Sequence, residues 1–343
     1  MTHNLPPCVH VPAGHLEADY FKRELNIARS VLQSSEGTDS SSSNTQILPL
    51  AIGVGFLGWR LDESDGKTAK LLSIALDARV AAVWFAFGND LGKWVRHVRS
   101  IDANRSSPHK TIVFVLVNSL KEAKVAVNDL CADVLVAQGP YRFDFTIHCK
   151  SPNVFHCLTS HFSGIEAGGH SSGEAPPLLD LVPEIIKTFT RGLRVGVPES
   201  QGESKSVCPP VIGAGGLTTG AQIAALLTLG ASGVALGTRF LLTPESLYPP
   251  ASKTALLAAD ATSTVRTTVF DDIRGTTGWP ASIDGRALRN TALERVERGE
   301  KLEDVRQYVE KATREGDAAG MVVWAGTGIG LVTEIKSAGM SSS

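Results

Sequence analysis

Between residues 47 and 240 the chain repeats one pattern. A short apolar run rich in Val, Ile and Leu is followed by roughly 10–15 residues with apolar positions at helical spacing. The runs at 47–56, 79–88, 111–117, 133–139, 209–216 and 232–240 read as strands. The segments at 67–78, 90–101, 119–130, 176–190 and 218–230 read as helices, with Asp90 and Ser119 placed to cap two of them. The strands are continuously apolar instead of alternating, so both faces of the sheet should be buried, as in parallel sheets with helical crossovers. A doubly wound sheet and a (β/α)8 barrel share this signal. Glycine-rich turns after the two latest strands favour the TIM (β/α)8-type barrel, where such turns commonly hold a phosphate. Upstream, residues 16–33 carry helical periodicity and 34–44 form a serine-rich linker. The expected organisation is therefore an N-terminal helix and linker at 1–46, the barrel domain at 47–335 and a tail at 336–343.

Composition narrows the function classes. A net charge of −2 offers no basic face to nucleic acid or an anionic membrane. The near-apolar stretch from Ile47 to Trp59 is broken by Pro49, Gly53, Gly55 and Gly58, which argues against a membrane span. The start, MTHNLPPCVHV, lacks the basic and apolar regions of a secretory signal. Five dispersed cysteines (Cys8, Cys131, Cys149, Cys157 and Cys208) do not form a disulfide framework, so a cytoplasmic setting is expected. Glycine, at 33 residues, exceeds the usual ~7%. Its clusters are where chemistry is expected.

Three clusters stand out. In 211–220, a strand delivers Gly213, Gly215 and Gly216 to a helix that Thr218 or Thr219 would cap. Such a turn suits a phosphate or stands as a plain tight turn. In 233–240, Gly237 and Thr238 sit at the C-terminal end of the next strand, and two such turns would converge on one anion in a barrel. In 164–173, His170 lies on a flexible glycine stretch between a strand and a helix. A titratable imidazole there suits a general base or substrate anchor, or merely caps a helix. Glu166 reads as structural, tying the loop. GTGIG at 326–330 has no helix after it and reads as a plain loop.

Gln138-Gly139, IEAGGH at 165–170, IGAGGLTTG at 212–220 and LGASGVALGTRF at 229–240, taken in order, resemble the nitronate monooxygenase family. The stretches at 271–290 (DDIRGTTGWPASIDGRALRN) and 325–332 (AGTGIGLV) are similar to its fungal branch. The resemblance implies an FMN-dependent TIM barrel without metal. It maps the FMN phosphate onto Gly215, Gly216, Gly237 and Thr238, and flavin contacts onto Gln138 and Gly168. Gly55 falls where many relatives carry an asparagine near the flavin, and His170 falls on the catalytic histidine. The implied activity is oxidation of alkyl nitronates with O2 to a carbonyl compound and nitrite, with a small-molecule substrate and neither nucleic acid nor membrane as partner. The alternatives are a related FMN barrel oxidoreductase, of enoyl reductase or secondary-metabolite tailoring type, and a catalytically impaired relic.

Two departures from the family pattern accompany the resemblance. The family's first strand has no counterpart, and CVHVPAGH at 8–15 reads as what is left of the second, so a barrel incomplete at its N-terminus is expected. The segment 140–163 is an atypical insertion: removing it with one flanking glycine restores a continuous QGIEAGGH. Its reading frame fits a retained intron; otherwise it would displace the loop that carries the histidine or form a lid over it. It carries His148, Cys149, His156, Cys157 and His161, but adjacent His-Cys pairs do not have zinc-ligand spacing, and no metal is expected.

Overall fold

The computed structural model describes residues 10–12, 16–35, 49–138, 140–142, 163–190 and 208–341. Most of the serine-rich linker and the body of the 140–163 insertion, including its histidines and cysteines, lie outside the described residues. The chain divides into two compact units. One comprises residues 1–117, 121–136 and 202–210; the other comprises 118–120, 137–201 and 211–343.

The first unit is built from parallel βα repeats. β1 (His10–Pro12) is followed by α1 (Ala18–Ser35), β2 (Leu50–Leu57), the single turn α2 (Gly58–Leu61) and α3 (Lys67–Asp77). Then come β3 (Val80–Ala86), α4 (Leu91–Ala103), β4 (Ile112–Val117), α5 (Leu120–Asn128) and β5 (Val134–Gln138), of which Leu120, Ala137 and Gln138 belong to the second unit. β1, β2, β3 and β4 pair in parallel in that order. Successive residues Val113 to Val117 are all buried, as are Val134 to Ala137, so these strands are covered on both faces as their unbroken apolar sequences require. Asp90 caps α4 as expected, its side chain accepting the Lys93 N–H at 3.1 Å.

In the second unit a parallel pair is joined by a helix. The hairpin of β6 (Pro140–Arg142) and β7 (Ser163–Ile165) leads to β8 (Gly169–Ser172) and α6 (Leu178–Thr190). β9 (Val211–Ala214), α7 (Gly220–Thr228) and β10 (Gly233–Ala235) form one βαβ unit, with Ile212 opposite Gly233. The strand expected over 232–240 is thus shorter, and Thr238 already opens α8 (Thr238–Leu241). Next come α9 (Pro250–Leu257), β11 (Thr264–Thr267), α10 (Val269–Arg274) and β12 (Ile283–Leu288). α11 (Thr291–Glu297), α12 (Leu302–Glu315) and α13 (Ala338–Ser341) complete the described elements. β11, β12 and β8 make an antiparallel three-stranded sheet, with Gly285 opposite His170. The sequence pattern did not predict this sheet. Arg266, Asp284 and Arg286 interrupt its apolar character, and all three sit on one face of it. Leu242, Leu256, Val323, Ala325 and Ile329 form a buried cluster under the 325–332 segment. Each of its larger side chains contributes about 1.5–3 kcal/mol. No helix among the described residues is long and apolar enough to cross a membrane.

Candidate active site

The glycine turn after β9 is fixed by side chains on either side of it. Gly215 and Gly216 take φ of +121° and +65°, a pair of conformations that L side chains rarely adopt. Thr219 caps α7, and Gln222 returns the bond in a capping box. Gln222 also reaches backwards: its Oε1 accepts the Thr218 N–H at 2.9 Å and its Nε2 donates to the Gly216 carbonyl at 3.0 Å. The GTGIG segment, read from sequence as a plain loop, is instead a 3-10 turn that docks here. Its Gly328 carbonyl accepts the Thr218 hydroxyl at 2.9 Å, and its Thr327 N–H donates to the Glu166 carbonyl at 2.9 Å. The Gly326 N–H donates to Thr238 Oγ1 at 2.9 Å, which leaves the hydroxyl proton of Thr238 for an acceptor.

The expected site glycines serve different purposes. A Cβ on Gly216 would stand 2.6 Å from the Glu166 Cβ, and one on Gly168 would stand 2.4 Å from the Gly326 nitrogen, so both positions are glycine because chain passes chain there. A Cβ on Gly237 would meet nothing within 4 Å, so the space beside it is open. Glu166 ties the region together, as anticipated. Its Oε2 accepts the Leu178 N–H at 3.0 Å, and burial pushes its carboxyl above the ordinary value against the pull of that N–H. Gln138 ends β5 with its carbonyl accepting from Asn118 Nδ2 at 2.9 Å, while its side-chain Oε1 is buried with no hydrogen-bond partner among the described residues. A buried orphan acceptor costs about 1–3 kcal/mol. A donor group on a ligand would remove that cost, so Gln138 fits the flavin contact that the resemblance assigns to it. Gly55 lies on β2 in the first unit, with Pro12 and Trp84 opposite it in register.

His170 is on a strand, not on a flexible loop as expected from its glycines. β8 is held in antiparallel register by β12, and that pairing sets where the imidazole stands. Its Nε2 lies 2.9 and 3.0 Å from the two carboxylate oxygens of Asp271 on α10. The Trp279 ring stacks on the imidazole at a centroid distance of 3.7 Å and an angle of 11°, and the Trp324 ring lies tilted at 5.0 Å. Thr276 donates its hydroxyl to Asp271 Oδ1 at 2.7 Å. Arg274 covers Trp324 at 5.5 Å, and the Tyr248 hydroxyl accepts the Trp324 N–H at 2.9 Å. Gly285 has no side chain because one would strike Trp324 at 2.5 Å. On the other face of the sheet, Arg266 pairs with Asp284 and Ser171, and burial followed by the Arg266 charge pushes Arg286 down to about 10.

Sequence reasoning singles out His170 but misses Asp271, Thr276, Trp279 and Trp324. Three of these belong to the 271–290 stretch, which carries the resemblance without a role for any one residue. Trp279 and Trp324 are two of only five tryptophans, and that rarity was the available signal. Among the described residues no group of His, Cys, Asp and Glu is arranged to hold a metal ion.

The βα repeats and the histidine-bearing sheet define a mixed α/β protein with a side-chain site, and comparison with known proteins narrows this. Nitroalkane oxidase from Streptomyces ansochromogenes matches with a TM-score of 0.62 at 24% identity, covering 98% of this chain and 86% of that one. FabK from Thermotoga maritima matches with a TM-score of 0.60 at 22% identity, over 98% and 82%. The nitronate monooxygenase family model matches residues 162–340. Nitronate monooxygenase from Neurospora crassa is 29% identical over 337 residues, 95% of this chain and 76% of that one. Nitronate monooxygenase npaC from Metarhizium robertsii is 30% identical over 302 residues, 84% and 70%. The chain belongs to the nitronate monooxygenase family, whose members are in general flavin-dependent.

Proposed function

We propose that this chain oxidises alkyl nitronates with O2 to a carbonyl compound and nitrite, using FMN held by Gln138, Gly168, Gly215, Gly216, Gly237 and Thr238. Gly55 is the further candidate for a place near the flavin, and His170 is the group that handles the substrate. The observation that carries this reading is the imidazole itself: a histidine on a fixed strand, stacked on Trp279 and tied to a buried carboxylate, in a family named for nitronates. FMN would supply the electron acceptor and the site at which O2 is used. The chain's own contributions are binding and proton handling. The open space at Gly237 and the Thr238 hydroxyl proton suit a phosphate oxygen, and the orphan Gln138 Oε1 suits an N–H donor on the isoalloxazine. Trp279 covers a face of the imidazole and Trp324 packs beside it, and His170 would orient the nitronate or remove the α-proton of a neutral nitroalkane.

Purified protein supplied with FMN tests this directly. The expected result is one FMN bound per chain, identified after denaturation, with release of nitrite and consumption of O2 on addition of ethyl nitronate. Flavin-free protein, or flavoprotein that oxidises NAD(P)H with an enoyl thioester and releases no nitrite, would overturn it.

A further inference from the structure

We infer that Asp271 is a positioning residue that fixes which nitrogen of His170 meets the substrate, so that the working atom is Nδ1. This rests on the reading of His170 given above. Both oxygens of Asp271 lie within hydrogen-bond distance of Nε2, so a proton sits on Nε2 and the neutral ring carries its lone pair on Nδ1. Nδ1 itself makes no hydrogen bond to any described residue. Turning the ring over by 180° would set a carbon against the carboxylate and lose the bond, and Trp279 stacked at 3.7 Å fixes the ring plane. The carboxylate is itself held: Asp271 is 5% exposed and receives the Thr276 hydroxyl at 2.7 Å.

Among the described residues, the charged groups of the surrounding elements leave this pair in control of the ring. α10 also contributes Arg274, which lies over Trp324 and not over the imidazole. β12 presents Gly285, with no side chain, opposite His170. Asp284 and Arg286 of β12 and Arg266 of β11 point to the other face of the sheet, where Arg266 and Asp284 bind one another. The same geometry serves two substrate forms. With a neutral ring, Nδ1 accepts the α-proton of a nitroalkane, and Asp271 stabilises the imidazolium that results. With a protonated ring, Nδ1–H donates to a nitronate oxygen.

The test compares holoenzyme of wild type, His170→Asn, Asp271→Asn and Thr276→Val with a nitroalkane and its nitronate, alongside 15N NMR of the imidazole. In wild type the neutral ring should show a protonated Nε2 and an unprotonated Nδ1. His170→Asn should lose nitroalkane turnover with FMN retained. Asp271→Asn should lower kcat on the nitroalkane by roughly 10- to 100-fold with a smaller change in KM. The 15N pattern should become a mixture of the two tautomers. Thr276→Val, which frees the carboxylate from its tether, should move the 15N pattern part of the way towards that mixture and lower kcat by less, and it carries the test alone if Asp271→Asn does not fold. If His170→Asn abolishes turnover while the Asp271 and Thr276 variants keep the wild-type kcat and 15N pattern, the role of Asp271 is overturned and that of His170 stands. If His170→Asn keeps full turnover, the reading of His170 fails and this inference with it.

Discussion

Around Gly215 and Gly216 the chain offers a ligand its backbone; around His170 it offers side chains. The first region is a turn of two residues at positive φ, braced by Gln222 and by the docked 326–330 segment, with Glu166 packed against Gly216. The second is an antiparallel sheet that brings an imidazole, a carboxylate and two indoles together from segments far apart in the chain, His170 and Asp271 being 101 residues apart. A backbone turn presents the same N–H groups whatever the pH and loses its shape when a Cβ is added. A side-chain cluster keeps its shape under small changes and loses its chemistry instead. Each region also contains a glycine that cannot carry a side chain, and substitutions there separate the two kinds of failure.

The largest expected effect is at Gly216. Valine would have to hold φ near +65°, which costs roughly 1–2 kcal/mol. It would also place a branched Cβ 2.6 Å from that of Glu166, adding about 1–3 kcal/mol of overpacking. Gly216→Val should therefore lower stability by about 3 kcal/mol and release FMN. Denaturant unfolding together with the flavin content of the purified protein checks both. A variant that unfolds more easily yet keeps its full complement of FMN would separate the turn from the flavin.

Gly285→Ala probes the other region and should have a smaller effect on stability. Its Cβ would meet the edge of the Trp324 ring at 2.5 Å and lie 3.5 Å from His170 Nε2, while the strand backbone needs no special φ. The ring must shift, at a cost of about 1–2 kcal/mol. FMN content should stay at the wild-type level while nitrite release falls roughly tenfold, because the imidazole loses its seat. Loss of flavin in this variant would erase the distinction between the two regions.

The same contrast explains what was legible in the sequence. The βα repeats announced themselves because each strand and helix carries its own local periodicity, and Asp90 and Thr219 cap their helices where the sequence places them. The glycine turns were equally visible, because a backbone site is written in consecutive residues. The sheet that seats His170 was not. β11 and β12 contain Arg266, Asp284 and Arg286, charges that satisfy one another or their neighbours only after the strands have paired, so neither strand shows an apolar run. Asp271 was invisible for the same reason. Its partner is distant in sequence, and a carboxylate on a short helix resembles any solvated acid until the register of β8 against β12 is known. The 326–330 segment reads as a plain loop because its role is to dock, and docking leaves no periodicity.

Glu166 stands between the two regions, two residues from Gly168 and four from His170, and it gives the smallest and most exacting test. Burial raises its carboxyl above the value of 4.5 expected in the unfolded chain, with Asp180 adding to the rise and the Leu178 N–H opposing it. The folded protein therefore binds this proton more readily than the unfolded chain, and stability should fall as pH rises from about 4.5 through the folded-state value. Glutamine keeps an oxygen for the Leu178 N–H at the head of α6 but never ionises. Glu166→Gln should accordingly be more stable than wild type at pH 7, with the difference vanishing below pH 4.5. FMN content and turnover should be unchanged. Thermal unfolding of both proteins across that pH range measures the difference. If Glu166→Gln proved less stable than wild type at neutral pH, the negative charge would be favoured at the N-terminus of α6, and Glu166 would serve the helix more than the glycine turn.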